Sequence, residues 1–182
     1  AMVTVAGQRT EHTAAGFQKN PQRWVMTPAN AKPRLPVMHQ RERQLQVLSE
    51  TSDLNLSFAG SDRRIGFVTS GPAFMHVRET FPNAPVLKLG FSCPPPLEKI
   101  RSFAGQVDTL VVVEETEPLL ETEIRAAGLE VRGKDILPRW GELAPSVLRP
   151  AIKPLLGEPY QVPTRPQSTV FPRPPTMCAS CP

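Results

Sequence analysis

Nine residues near the middle of the chain, VDTLVVVEE (107–115), limit the folds open to it more than any other stretch. Leu110–Val113 is an unbroken apolar run rich in β-branched residues. A run with no polar face to offer water suits a central strand of a parallel sheet, covered on both sides. The segments around it agree. RRIGFVTS (63–70) is a short β-type run that ends in Thr69, Ser70 and Gly71, and PAFMHVRETF (72–81) then sets Phe74, Val77 and Phe81 on one helical face. APVLKLG (84–90) repeats the strand, and PPPLEKIRSFA (94–104) repeats the helix with Leu97, Ile100 and Phe103. After the central run, EPLLETEIRAAG (117–128) has Pro118 in its first turn, Leu120, Ile124 and Ala127 on one stripe, and Gly128 as its stop. LEVRG (129–133) predicts a fourth short strand and APSVLRPAIKPLL (144–156) an interrupted helix. Strands alternating with helices predict an α/β fold, a mostly parallel sheet with flanking helices and right-handed crossovers.

The flanks are different. Residues 1–34 have no sustained period, and Pro21, Pro28 and Pro33 interrupt them. They predict a strand end followed by a long extended linker lying against something else, with Trp24, Val25 and Met26 as anchors. LPVMHQRERQLQVLSE (35–50) predicts a moderately amphipathic helix, with Met38, Leu45 and Leu48 on one stripe and His39 solvated beside its charged face. At the other end, seven of the 22 prolines fall between Pro159 and Pro182, which rules that segment out of a core.

Composition narrows the class. A hydrophobic fraction of 40% and a charged fraction of 21% are those of a soluble globular protein, and no apolar run approaches the roughly 20 residues of a membrane span. The net charge of +4 lies along the chain without a Lys/Arg cluster, which argues against a nucleic-acid partner. Three cysteines, Cys93, Cys178 and Cys181, are too few for a secreted disulfide framework, so a reducing, cytoplasmic setting is expected, with no membrane partner.

Candidate chemistry is sparse. Thr69, Ser70 and Gly71 stand where a strand hands over to a helix, and backbone N–H groups and the helix dipole at such a turn can hold a phosphate. The turn lacks both G-x-G-x-x-G and a Walker lysine, so a capped helix start is the competing reading. Glu114, Glu115 and Glu117 follow the central strand, and paired carboxylates there could bind a metal or do acid/base work. Carboxylates also favour a helix amino terminus, and one begins here. His76 has no partner nearby in sequence, and Cys93 reads as a loop or buried thiol. The tail ends PRPPTMCASCP, where Cys178 and Cys181 form a C-x-x-C pair. That is half of a four-ligand zinc or iron–sulfur site, and it lacks the strand-then-helix setting of a thioredoxin-like motif.

Taken together, GFQKNPQRWVMTPANAK, the stretch from IGFVTSGPAF to EIRAAG, GKDILPRWGELAPSVLR and RPPTMCASCP resemble, in the family's order, the large (alpha) subunits of indolepyruvate ferredoxin oxidoreductases. These belong to the thiamine-diphosphate-dependent 2-oxoacid ferredoxin oxidoreductases. The resemblance implies a whole enzyme that oxidatively decarboxylates aryl pyruvates to an acyl-CoA and reduces ferredoxin. It implies thiamine diphosphate, magnesium and 4Fe–4S clusters as cofactors and a smaller beta subunit as partner. It places residues 1–34 at the end of a preceding domain and its linker, residues 35–157 in a transketolase C-terminal-like domain, and residues 158–182 in a proline-rich linker toward a missing thiamine-diphosphate-binding domain. On this resemblance Cys178 and Cys181 are two ligands of an iron–sulfur cluster, although Ser180 stands where the family often has glycine. The fragment alone is then expected to bind no cofactor and to be inactive, its contacts being with the other domains of the same subunit. Another departure is Cys93, where an aromatic commonly stands. The alternative is a stand-alone α/β module that binds a phosphate-containing ligand at Thr69–Gly71.

Overall fold

Every side chain of Leu110–Val113 is buried, as a strand with neighbours on both faces requires. The computed structural model describes Gly7 and residues 13–160. These fall into two units that divide between Gln44 and Leu45. In chain order the helices and strands are α1 (Pro21–Trp24), α2 (Pro28–Ala31), α3 (Leu35–Thr51), β1 (Leu56–Phe58), β2 (Gly66–Ser70), α4 (Ala73–Thr80), β3 (Val86–Leu89), α5 (Leu97–Ala104), β4 (Leu110–Val113), α6 (Leu119–Ala126) and α7 (Pro145–Ile152). A 3₁₀ turn, Lys32–Arg34, precedes α3, and another, Lys153–Leu156, follows α7.

The sheet of the second unit runs β1-β3-β2-β4, so β2 lies inside it, and β4, the run expected to be the central strand, is its last strand, bordered beyond only by a single bridge from Arg132. β2 lies parallel to both β3 and β4, with Val68 opposite Leu87 on one side and Val112 on the other. β1 closes the far edge antiparallel to β3. Alternation along each strand sorts side chains to two faces. Phe67, Val86, Val111 and Val113 meet Ala73 and Val77 of α4 and Leu148 and Ile152 of α7. Val68, Leu87, Leu110 and Val112 meet Ile100 and Phe103 of α5 and Leu120 and Ile124 of α6. The result is a three-layer α/β/α arrangement, the predicted class with a mostly parallel sheet.

Three local expectations change. β1 was not legible in NLSFAGS, because it has three residues and only Phe58 is even half-buried. The predicted strand LEVRG shrinks to one parallel bridge, Arg132 to Val111, held by Arg132 N–H to Leu110 O at 2.9 Å and Val112 N–H to Arg132 O at 2.8 Å. It stops there because the Asp135 carboxylate takes the Gly133 N–H and turns the chain. The predicted linker before residue 35 contains two one-turn helices, each opened by proline, and Asn20 caps the first by accepting the Arg23 N–H at 3.1 Å.

The stripe predicted for α3 is also wrong in kind. Of its members Met38 and Leu48 are exposed and Leu45 is half-buried, whereas the buried residue of the helix is Ser49, outside the stripe. Its hydroxyl donates to Pro94 O at 2.7 Å, Gln46 Nε2 donates to Pro95 O at 3.0 Å, and the Glu50 carboxylate accepts the Glu98 and Lys99 N–H groups at the start of α5. Lys99 Nζ in turn donates to Ser52 O and Asn55 O past the end of α3. The end of α3 is therefore fastened by polar side chains, which apolar periodicity does not register.

Replacing Phe67 with Ala should cost about 3–5 kcal/mol, because the ring is fully buried and stacked on Phe81 at 5.1 Å. Ser49→Ala should cost about 1 kcal/mol through the lost bond to Pro94 O. Equilibrium urea unfolding measures both; equal losses would show that the α3 contact matters as much as the core.

Candidate functional site

In an open parallel sheet the crevice for a ligand lies at the carboxyl ends of the strands, where the strand order reverses. Here the reversal lies at β2: the chain passes from β2 to β3 on one side, then crosses to β4 on the other. The residues at this edge are Thr69 and Ser70 at the end of β2, Gly71 after it, and Glu114 after β4.

Thr69 pairs with Lys88 and Val113 across its neighbours and is fully buried. Its hydroxyl makes no hydrogen bond among the described residues. Ser70 is half-buried and Gly71 exposed. Gly71 has φ +58°, which a residue with a Cβ adopts only with strain, although nothing would crowd that Cβ. Pro72 occupies the N-cap of α4 and offers no side-chain cap. Two amides of the first turn of α4 are already engaged, Phe74 N–H on Gly71 O at 3.3 Å and Met75 N–H on Pro72 O at 3.0 Å.

The acidic cluster behaves differently. Glu114 is buried, and its two carboxylate oxygens accept the N–H groups of Leu120 and Glu121, each at 2.9 Å, so that it caps α6. Glu121 is buried as well. It accepts the Lys134 N–H at 2.8 Å and pairs with Arg125 at 2.9 Å. The Lys134 ammonium bonds to Glu114 O and to Pro138 O. Desolvation lowers its pKa from the usual lysine value, against the pull of Glu114, Glu121 and Glu117. Glu117 pairs with Arg139 at 3.5 Å, and Glu115 is half-buried. Gly133 lies so close beneath Glu121 that an added Cβ would collide with its carboxylate.

Sequence alone missed three parts of this edge: Lys134, Glu121 and the partner of His76. His76 Nε2 lies 2.9 Å from the Glu142 carboxylate, a residue 66 positions away. Nothing local signals such a pair. Glu121 and Lys134 are equally hidden, since each looks like an ordinary helix or loop charge. Cys93 is exposed and free. Among the described residues no three His, Cys, Asp or Glu side chains gather as a metal site would need. No helix among them is long and apolar enough to cross a membrane. Cys178 and Cys181 lie outside the described residues.

No protein-family model matches the chain. Among curated proteins, indolepyruvate oxidoreductase subunit IorA of Methanothermobacter thermautotrophicus is 34% identical over 203 residues, which take in 100% of this chain and 31% of that protein. The subunit of the same name from Methanothermobacter marburgensis is 32% identical, covering 99% of this chain and 31% of its own. That of Pyrococcus horikoshii is 28% identical over 91% of this chain and 28% of its own. The chain thus spans just under a third of the length of the curated relatives it matches. Among solved structures, a 2-oxoglutarate:ferredoxin oxidoreductase from Magnetococcus marinus, with 2-oxoglutarate, coenzyme A and succinyl-CoA bound, matches 72% of this chain and 24% of its own at a TM-score of 0.53. At 18% identity that likeness concerns the fold.

Gly133→Ala should destabilise the second unit by about 1–3 kcal/mol, read from urea midpoints, because the new methyl displaces the Glu121 carboxylate from its partners. Acid tests the neighbouring turn. Desolvation works against the Asp135 carboxylate, but the Gly133 N–H and the Arg132 guanidinium outweigh it and hold its pKa below the ordinary 3.8. A depressed folded-state pKa gives stability that is intact above that value and lost as pH falls through the folded-state pKa. Asp135→Asn should therefore flatten the loss of stability between about pH 4 and pH 2, and an unchanged acid limb would remove Asp135 from the account.

Proposed function

The chain is related along its whole length to the IorA subunits of indolepyruvate oxidoreductases, and from that premise we propose that it forms the middle, transketolase C-terminal-like part of the large subunit of an indolepyruvate ferredoxin oxidoreductase. In this reading the whole enzyme works in the cytoplasm with a smaller beta subunit. It oxidatively decarboxylates aryl pyruvates to an acyl-CoA and passes the electrons to ferredoxin. The observation that carries the proposal is the 34% identity that extends over 100% of the chain. The α/β/α fold supports it, since a 2-oxoacid:ferredoxin oxidoreductase contains the same arrangement.

Thiamine diphosphate with magnesium would supply the carbanion chemistry of the decarboxylation. The described residues do not fit that group. Both buried carboxylates at the sheet edge are already engaged, Glu114 with two amides and Glu121 with an amide and Arg125. A magnesium ion would have to strip them from these partners, which leaves the start of α6 uncapped. This segment's own work is mechanical: it presents a rigid sheet between other parts of the subunit. Residues 1–34 lead in from the preceding domain. Residues 158–182 lead out toward the diphosphate-binding domain, where Cys178 and Cys181 serve as two ligands of a 4Fe–4S cluster.

A second reading rests on one observation, the buried Thr69 hydroxyl without a hydrogen-bond partner at the end of the central strand. It makes the chain a stand-alone module that holds a phosphate group at Thr69, Ser70 and Gly71. The engaged amides of Phe74 and Met75 count against it.

The two readings predict different results. The 182-residue chain, supplied anaerobically with thiamine diphosphate, magnesium, CoA and indolepyruvate, should reduce no viologen or ferredoxin. The full large subunit that contains it, assembled with its beta subunit, should do so with indolepyruvate in preference to 2-oxoglutarate. Turnover by the chain alone, or an assembled enzyme inert toward aryl pyruvates, would overturn the proposal. Calorimetry of the isolated chain with CoA, thiamine diphosphate and nucleotides should give no heat of binding. A micromolar ligand that is lost in Gly71→Val would favour the phosphate module instead.

A further inference from the structure

No residue from 13 to 44 is buried. This first unit nevertheless carries large apolar side chains, among them Phe17, 82% exposed, Trp24, 56%, and Met26, 65%. Helices of four residues are far too short to persist by themselves, so α1 and α2 must draw order from something they touch. Asparagines set their shape: Asn20 caps α1, and Asn30 Nδ2 donates to Val25 O at 2.9 Å.

Together with the first turns of α3 they form an open groove of about 830 Å³. Trp24, Met26, Val37 and Met38 supply its apolar lining. Arg23, Arg34 and Arg41 stand around them. The three arginines are 11 and 7 positions apart in sequence, which is why no basic cluster is visible there. Arg23 lies over the Trp24 ring at 4.8 Å, and Arg34 reaches the Met26 sulfur at 4.0 Å. None of the three forms an ion pair among the described residues. Across residues 13–44, Lys19, Arg23, Lys32, Arg34, Arg41 and Arg43 face Glu42 as the single carboxylate, a net charge of +5. Residues 45–160 carry 12 basic and 15 acidic side chains, so the net charge, taken from the sequence as spread along the chain, is in fact gathered in the first unit.

From this geometry we infer that the groove is a docking site for an acidic protein surface that carries apolar anchors. The charge selects the sign of the partner, because three guanidiniums that form no ion pair among the described residues favour Asp and Glu side chains in bidentate pairs. The lining selects the class. A polyphosphate would leave four apolar side chains wet, and a nucleic-acid base would have to displace Arg23 from the Trp24 face before stacking there. A protein segment with leucine-like anchors flanked by carboxylates satisfies both parts, and tryptophan and arginine are the residues that dominate such interfaces.

The inference does not depend on the activity assigned above, and a titration of the chain itself tests it separately. The chain has two tryptophans, so Trp140→Phe, at a position 80% exposed, leaves Trp24 as the sole reporter. A synthetic 20-residue peptide of alternating leucine and glutamate pairs should move the Trp24 emission to the blue, and the binding should weaken with salt. Reversal of the three arginines (R23E, R34E and R41E together) should reduce affinity roughly 30-fold while the thermal midpoint of the second unit stays unchanged. Polyglutamate of the same length and tripolyphosphate should bind at least about tenfold more weakly. In the assembled native complex, a photo-crosslinking residue in place of Met38 should join a peptide in which Asp and Glu outnumber Lys and Arg. The inference is overturned by any of four results: no emission shift with the leucine–glutamate peptide, equal binding of tripolyphosphate, indifference to the charge reversal, or crosslinks confined to residues 45–160 or to a basic surface.

Discussion

Strand β2 accepts and donates ladder bonds on both sides, to β3 and to β4, and the second unit is arranged to keep water from its two faces. Phe67 points to α4 and α7, and Val68 to α5 and α6. A parallel pair cannot be joined by a tight hairpin, so each connection must be a crossover long enough for a helix. Those helices are the cover. This one requirement explains why the apolar strands carry no polar alternation and why the ligand-accessible positions are confined to the ends of strands.

At those ends the polar chemistry is turned inward. Glu114 and Glu121 are buried carboxylates whose charge is balanced by amide N–H groups, Arg125 and the nearby Lys134. Burial of such charges is tolerable only when hydrogen bonds satisfy them, and removing one partner leaves the other exposed to the full desolvation cost. They hold α6 and the turn at Gly133 against the sheet. An edge whose carboxylates are spent in this way suits a part that positions its neighbours, and it agrees with kinship to a subunit about three times as long.

Much of this was legible in order along the chain. The helices α4, α5 and α6 bury the residues that their spacing selects, Val77 and Phe81, Ile100 and Phe103, Leu120 and Ile124. Gly128 stops α6 in the left-handed region, φ +81°, as its position suggested. What failed to show were polar contacts between segments far apart. Ser49 to Pro94, Glu50 to the start of α5, and His76 to Glu142 join residues separated by 45 to 66 positions. A serine or glutamate looks the same in sequence whether it faces water or clamps a loop. The groove of the first unit was hidden for the same reason, since its arginines become neighbours only when α1, α2 and α3 fold back on one another.

Sequence by itself determined the fold class, because period and β-branching act through local geometry and burial: a β-branched run such as LVVV, set among alternating helical segments, suits a sheet strand covered on both faces. It also determined kinship, through separated motifs in a fixed order. Only tertiary structure decided which charges are spent and which are free. Glu114, read either as a metal or acid/base group or as a carboxylate at a helix amino terminus, takes the second role, and three scattered arginines share one apolar groove. The reason is that pairing of charges depends on distances of a few ångströms between distant parts of the chain, and those distances exist only after the layers have packed.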